Sequence, residues 1–354
     1  MVATGMETRQ TAERQVRLAD YTTLRVGGPA GRFVVADSES DLVGVVRAAD
    51  EAREPVLVLG GGSNLLVGDE GFDGTVVVVA TRGRTVDVSD CSGATVTLAA
   101  GEPWDDFVAF AVAQGWRGVE ALSGIPGLVG ASPIQNVGAY GSEVSHTIAS
   151  VRTLDRRTGQ IATLAAADCR FSYRSSRFKE EPDRFVVLQV TFQLPLGDLS
   201  APIRYPELAR ALDVAVGDRV PATAVREAVL ALRRAKGMVL DDADRDTWSA
   251  GSFFTNPVLD EARAELLPAA APRFPQPDGS VKTSAAWLIE QAGFAKGYGS
   301  GQARLSTKHT LALTNRGEAT AAELLALAAE IRAGVQDRFG IRLVPEPQLV
   351  GCRL

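Results

Sequence analysis

The sequence predicts a mixed α and β protein divided into two or three domains, and three observations carry that expectation. The chain has 354 residues, more than one hydrophobic core usually organises. Up to Gly115, β-branched runs alternate with segments whose apolar residues recur at helical spacing. Between 150 and 194, by contrast, short alternating runs parted by turn residues read as antiparallel strands.

The elements follow in order. RFVVA (32–36) reads as a strand, and Ser40 is placed to cap a helix from Asp41 to about Arg53 with Leu42, Val45, Val46 and Ala49 on one face. VLVL (56–59) and TVVVV (75–79) are strands on either side of the loop GGGSN (60–64). TVTLAA (95–100) leads into a helix starting near Glu102, with Val108, Ala111 and Val112 inward and Gly115 ending it. SVRTLD (150–155), IATL (161–164) and FVVLQVTFQL (185–194) form the antiparallel set, the last with Val186, Leu188, Val190 and Phe192 on one face. The proline-rich PLGDLSAPIRYPEL (195–208) marks a boundary. Helices are expected over 222–236, ending at Gly237, over roughly 283–292, and from a cap near Thr320 to Arg338. IRLVPE (341–346) reads as the final strand.

Composition narrows the function. A formal charge of -6 lacks the basic surface that nucleic-acid backbones require. Cys91, Cys169 and Cys352 are too scattered for a disulfide framework or a thiolate site, and His146 and His309 are the only histidines, so no metal is assigned. MVATGMETRQTAERQV has no apolar stretch of signal-peptide length, and no run approaches a membrane span. A cytoplasmic protein is expected.

GGGSN poses the functional question. A dinucleotide fingerprint would turn directly into a helix, and a P-loop would continue with G-K-[ST]; here a turn and a β-branched strand follow. The loop is either an ordinary tight turn or a nest whose backbone N–H groups hold an anion, with Ser63 and Asn64 adding side-chain hydrogen bonds. SGIPGLVGASPIQNVGAYG (123–141) is a second apolar, glycine-rich segment. Two such loops suit a large dinucleotide with a flat ring system, a flavin in preference to a nicotinamide.

The order GGGSN, SGIPGLVGASPIQNVGAYG, FSYRSSRFK, AGSFFTNP and VPE resembles the UDP-N-acetylmuramate dehydrogenase (UDP-N-acetylenolpyruvoylglucosamine reductase) family from about Tyr21 to Gly351. The resemblance implies an α+β fold: a two-lobed FAD-binding domain of the vanillyl-alcohol-oxidase type (lobes 20–80 and 81–200), a smaller α+β substrate-binding domain (205–340), and a C-terminal strand (341–354) returning to the active site. It implies FAD as cofactor, NADPH as co-substrate and UDP-N-acetylglucosamine enolpyruvate as substrate, acted on by a monomer. No histidine precedes His146, so a covalent link near the glycine loop is ruled out and FAD is held non-covalently.

Residue by residue, the resemblance makes Arg174 the partner of the substrate carboxylate, Ser252 the proton donor and Glu346 the acidic member of the catalytic set. Val344 stands where the family often has a second glutamate. Gly60, Gly61, Gly62, Ser63 and Asn64 would contact the cofactor from the first loop. From the second come Ser123, Gly124, Ile125, Pro126 and Gly127, then Gly130 and Ser132, then Gln135, Asn136, Gly138, Ala139 and Tyr140. Tyr140, Tyr173, Tyr205, Lys236 and Asn256 would bind substrate, Tyr205 as the capping tyrosine of a subgroup, with Arg233 and Arg234 adding positive field and Lys282 and Gln291 as weaker candidates. Two rival readings are an oxidase of the same fold, which would make peroxide and ignore UDP-sugars, and a nucleotide-sugar sensor, which would purify colourless.

Overall fold

A computed structural model describes residues 16–354; the expectation about a leader peptide lies outside the described residues. The first layer is a parallel sheet in the order β1 (Ala30–Ala36), β4 (Phe72–Val79), β2 (Val56–Leu59). Helix α1 (Glu39–Ala52) connects β1 to β2. Its cap is Ser38, not Ser40: Ser38 is extended and its hydroxyl accepts the Asp41 N–H, which starts the helix two residues earlier than expected. Between β2 and β4 the chain makes the glycine loop and a three-residue strand, β3 (Leu65–Val67).

The second layer is a five-stranded antiparallel sheet. Its order is β10 (Gln160–Ala165), β9 (Ile148–Asp155), β11 (Phe185–Leu194), β6 (Gly93–Ala99), β5 (Arg84–Ser89). Every residue of β5 is exposed, Val86 and Val88 included, so the alternation of this edge strand does not mark a core face. Strand β11 buries Val186, Leu188, Val190 and Phe192 as expected. Val187 is buried as well, next to a register shift against β9 between Val187 and Gln189. The segment 123–141 ends in the small hairpin of β7 (Gly138–Ala139) and β8 (Ser142–Glu143).

Helix α1 lies between the layers. Its Leu42, Val43, Val46 and Ala49 share one core with Val77 and Val79 of the first sheet, Val151 and Phe192 of the second, and Phe107 and Val108 of α2 (Trp104–Ala113). Helices α3 (Arg177–Glu180), α4 (Pro206–Ala211) and α5 (Ala222–Ala235) follow. Helix α4 begins inside the proline-rich boundary segment, because Pro206 takes the first helical turn, where its missing N–H costs nothing.

The C-terminal third has its own core, built from Phe253, Phe254, Leu288, Ile289, Leu324 and Ile331 with Leu24 and Leu66 from the N-terminal side. It contains α6 (Glu261–Glu265), the small sheet β12 (Val258–Leu259), β14 (Val281–Lys282), β13 (Phe274–Pro275), then α7 (Ala285–Gln291) and the pair β15 (Ala303–Leu305) and β16 (Leu313–Asn315). Helix α8 (Ala321–Phe339) starts at a Thr320–Glu323 capping box and ends at Gly340 in the left-handed region. Asp69, just beyond β3, accepts the N–H groups of Ala321 and Ala322 at 2.8 and 3.0 Å, docking the N-terminal layer on the start of α8.

The expected strand at 341–346 is not one. Pro345 has no N–H for a ladder, and the segment makes only a single bridge, to Phe254. The C-terminal strand is β17 (Gln348–Val350), parallel to β3, directly after the glycine loop. No helix among the described residues is long and apolar enough to cross a membrane, and none of their His, Cys, Asp and Glu side chains form a group of three that could hold a metal.

Candidate active site

Strand β2 and the loop after it, the 123–141 segment, residues of 174–186 and 233–252, and 345–348 line a cavity of about 510 Å³. One wall is GGGSN, where tight turns and free backbone donors coincide. Gly62 has φ of 60°, and a Cβ there would overlap the carbonyl oxygen of Tyr21. A Cβ on Gly61 would come within 2.9 Å of the Gly127 Cα, so the two glycine-rich segments meet backbone against backbone. Among the described residues, the N–H groups of Gly61, Gly62, Ser63 and Asn64 donate to no other group of the chain. Such a row of unspent donors fits the anionic bridge of a dinucleotide.

The side chains of this loop do other work. Ser63 donates to the Pro126 carbonyl at 3.0 Å, and Asn64 donates to the Gln135 amide oxygen at 2.9 Å and the Glu346 carbonyl at 3.3 Å. The Asn64 carbonyl in turn accepts from the Gln348 N–H. Ser63 and Asn64 thus brace the first glycine loop against the second and against the C-terminal segment, and the backbone is left to face a ligand.

Arg174, Ser252 and Glu346 line the same cavity, the Glu346 carbonyl in direct contact with Asn64. Arg174 follows Tyr173 in a left-handed turn with φ of 52°, a conformation that costs a side-chain-bearing residue about 1–2 kcal/mol. Its carbonyl accepts from Lys179 and its Nη2 donates to the Gly138 carbonyl at 2.8 Å. Its Nε is 3.0 Å from the Glu346 Oε1, but the N–H is not aimed at that oxygen, so the two are paired by charge and the buried N–H has no hydrogen-bond partner. The carboxyl of Glu346, 12% exposed, is pushed above the usual carboxylate range by burial, with Arg174 and Lys179 pulling the other way.

Ser252 reaches the cavity through backbone pairing. The Glu346 N–H donates to the Phe253 carbonyl at 2.8 Å, Phe254 bridges Pro345, and the Thr255 N–H donates to the Val344 carbonyl. The apolar neighbours Phe253 and Phe254 are fully buried in the C-terminal core and fix the turn that presents the serine. Two segments nearly a hundred residues apart are therefore zipped together, and the serine and the glutamate arrive at the same wall.

The remaining candidates divide. Gly60, Ile125, Pro126, Ser132, Gln135 and Gly138 line the cavity with the GGGSN loop. Ser123, Gly124, Gly127, Gly130, Asn136 and Ala139 lie behind that lining: Ser123 donates to the Glu120 carbonyl, and Asn136, 1% exposed, donates to Glu143 and the Ser172 carbonyl. Tyr140, Tyr205 and Lys236 form a separate cluster beside the cavity. The two tyrosine rings meet edge to face at 5.8 Å, Lys236 stands over the Tyr140 ring at 5.6 Å, and Lys236 pairs with Glu207 at 2.6 Å. Burial pushes the Tyr140 hydroxyl up to about 12. Tyr173 carries Lys282 over its ring at 4.4 Å, and Asn256 accepts the Ala285 N–H that opens α7.

Sequence reasoning gave Arg233 only a diffuse role and passed over Lys179 and Arg156. All three line the cavity. Arg233 donates to the Met238 carbonyl at 2.7 Å, its Nε has no partner, and burial pushes it down to about 10. Lys179 was within sight in FSYRSSRFK; Arg156, in a turn of ordinary RRTG composition, carried no signal.

Comparison with known proteins agrees with this geometry. The family model described as "UDP-N-acetylenolpyruvoylglucosamine reductase, C-terminal domain" matches residues 242–350, and that of an "FAD binding domain" matches residues 30–165. The chain is 59% identical to the UDP-N-acetylenolpyruvoylglucosamine reductase of Streptomyces coelicolor, over 95% of this chain and 90% of that one. It is 57% identical to that of Cutibacterium acnes, over 99% and 93%. Among solved structures it resembles the reductase from Thermus caldophilus, with a TM-score of 0.65 and 26% identity over 95% of this chain and 97% of that one.

Proposed function

The chain belongs to the UDP-N-acetylenolpyruvoylglucosamine reductase family, and from that premise we propose how its cavity performs the family's reaction. It is an FAD-dependent oxidoreductase that uses NADPH to reduce UDP-N-acetylglucosamine enolpyruvate to UDP-N-acetylmuramate, a step in peptidoglycan precursor synthesis. When bound, FAD would supply the hydride chemistry that links NADPH to the β-carbon of the enolpyruvyl group.

The free N–H groups of residues 61–64 would hold the cofactor's pyrophosphate, and Ile125, Pro126 and Gly138 would be among the cavity residues around it. Arg174 grips the substrate carboxylate: its buried Nε–H has no hydrogen-bond partner, and a permanently charged fork suits an oxyanion whose charge grows in the transition state. Ser252 places its proton on the α-carbon; the enolate carbon is a strong base, so a fixed position makes up for a weak acid. Glu346, with its carboxyl raised by burial, shares a proton with the enolate end and keeps Arg174 oriented. Lys236, Tyr173 and Asn256 bind the UDP-sugar, and Tyr205 closes over its nucleotide as in the subgroup with a capping tyrosine. The working unit is a monomer in the cytoplasm, where NADPH and UDP-sugars are made, with lobes 20–80 and 81–200 for the cofactor and 205–340 for the substrate.

The observation that supports this assignment is that positions 174, 252 and 346 line the same cavity as GGGSN, with Asn64 held against the Glu346 carbonyl. The test is direct. Purified protein should show flavin absorbance that denaturation releases into solution, and NADPH oxidation should depend on the enolpyruvyl substrate. Steady peroxide production without any response to that substrate would defeat the assignment.

A further inference from the structure

Helix α1 is joined to the five-stranded sheet by two arginine–carboxylate pairs of similar build and different surroundings. At its start, Arg152 on β9 takes Glu39 through Nε and Nη2, with Nη2 3.0 Å from Oε1. Toward its end, Arg156 takes Asp50 through Nε at 3.2 Å and Nη2 at 2.7 Å, and its Nη1 donates to the Asp183 carbonyl at 2.9 Å. The first pair is more open to solvent, with Arg152 39% exposed against 14% for Arg156.

Only the second pair touches the cavity. Arg156 lines the main cavity beside Val56, Pro182, Asp183 and Phe185, and it also lines a second, outer cavity of about 340 Å³ with Arg47, Asp50 and Leu154. One guanidinium is therefore part of the wall of both spaces, held at three of its nitrogens. A bidentate, half-buried pair of this kind is rigid, and removing one member leaves the other charge partly buried without that partner.

We propose that Arg156 and Asp50 form a clamp that closes the back of the cofactor cavity and sets how long the bound cofactor stays. Arg156 is a positioning residue: it locks α1 of the parallel layer to the turn after β9 and to the strand-entry carbonyl at Asp183. Opening the pair joins the two cavities, admits water behind the cofactor and lets the two layers part. The proposal rests on the cavity being the place of the FAD, as argued above.

The experiment uses the flavin-loaded enzyme and follows the rise in flavin fluorescence after dilution, well below the unfolding temperature. Arg156→Met and the milder Asp50→Asn should each speed flavin release about tenfold, as expected for loss of a half-buried charged hydrogen-bonded pair. The double variant should be no faster than either single one, because both remove the same contact. Arg152→Met should lower the Tm of flavin-free and loaded protein alike, with release unchanged within about twofold, since that pair is remote from the cavity. In Arg156→Met and Asp50→Asn the gap between loaded and flavin-free Tm should shrink, which a purely structural loss does not produce. Wild-type release rates in both clamp variants would overturn the proposal, and Asp50→Asn alone decides it should Arg156→Met fail to fold. Gly61→Val separates this from the assignment beneath it: if that variant also holds flavin normally, the cavity is not the cofactor's place, whereas its loss of flavin beside unaltered clamp variants removes the clamp alone.

Discussion

Two parts of the cavity lining are built from different materials. At the GGGSN end the chemistry is main-chain: glycines let two loops approach to near contact, side chains serve only as braces, and four N–H groups are left without a partner in the described chain. At the Arg174 end it is side-chain: a strained turn, a buried charge pair without a matching hydrogen bond, and a carboxyl raised by burial. The first end tolerates no added bulk, and the second tolerates no lost functional group. Binding a cofactor that stays requires shape, whereas moving a proton requires particular atoms in particular protonation states.

The largest effect that would sharpen this contrast is on the chemical end. Ser252→Ala should slow reduction of the enolpyruvyl sugar about 10³-fold while flavin reduction by NADPH stays within about twofold, the size expected for loss of a positioned proton donor. Stopped-flow traces of the two half-reactions decide it, and equal slowing of both would dissolve the distinction. Next is the cofactor end, where Gly62→Val must fit a β-branched residue at φ of 60° against the Tyr21 carbonyl; flavin affinity should fall about 10²-fold or more, a strain of a few kcal/mol. Normal flavin content in that variant would mean that the loop is not the rigid wall described.

A smaller effect separates the active site from the rest of the C-terminal third. Burial pushes the His309 imidazole down to about 4, with Lys236 and Lys296 adding to the shift and Glu207 opposing it. A base whose folded value is depressed takes up its proton more readily when unfolded, so stability should fall as pH drops from about 6.5 toward 4, by about 3 kcal/mol in total. His309→Gln should flatten this part of the denaturation profile. The smallest effect belongs to Tyr205, 42% exposed and touching Tyr140 edge to face. Tyr205→Ala should raise KM for the UDP-sugar a few-fold, about 1 kcal/mol of lost contact, and leave kcat and flavin content alone.

Legibility in the sequence followed the same division. Strands β2 and β11 could be bounded to the residue because their β-branched runs end at glycine or proline. The edge strand β5 and the C-terminal strand β17 could not: one is exposed throughout, and the other is three residues long and owes its existence to β3. GGGSN and the family motifs named Arg174, Ser252 and Glu346, but nothing local in FSYRSSRFK indicates that Lys179 turns back to cap Arg174, and nothing in the RRTG turn indicates that Arg156 walls two cavities.

By itself the sequence determined the alternation of strand and helix, the two places where backbone could approach a ligand closely, and the residue types available for charge stabilisation and proton donation. These depend on short-range facts: side-chain periodicity, the freedom of glycine, the permanent charge of a guanidinium. The tertiary structure alone decided that residues 252 and 346 line one cavity, that Asn64 ties its loop to two distant segments, and that burial raises the Glu346 carboxyl. Those outcomes depend on which surfaces lose water together, and desolvation is a property of the packed chain that no stretch of residues carries alone.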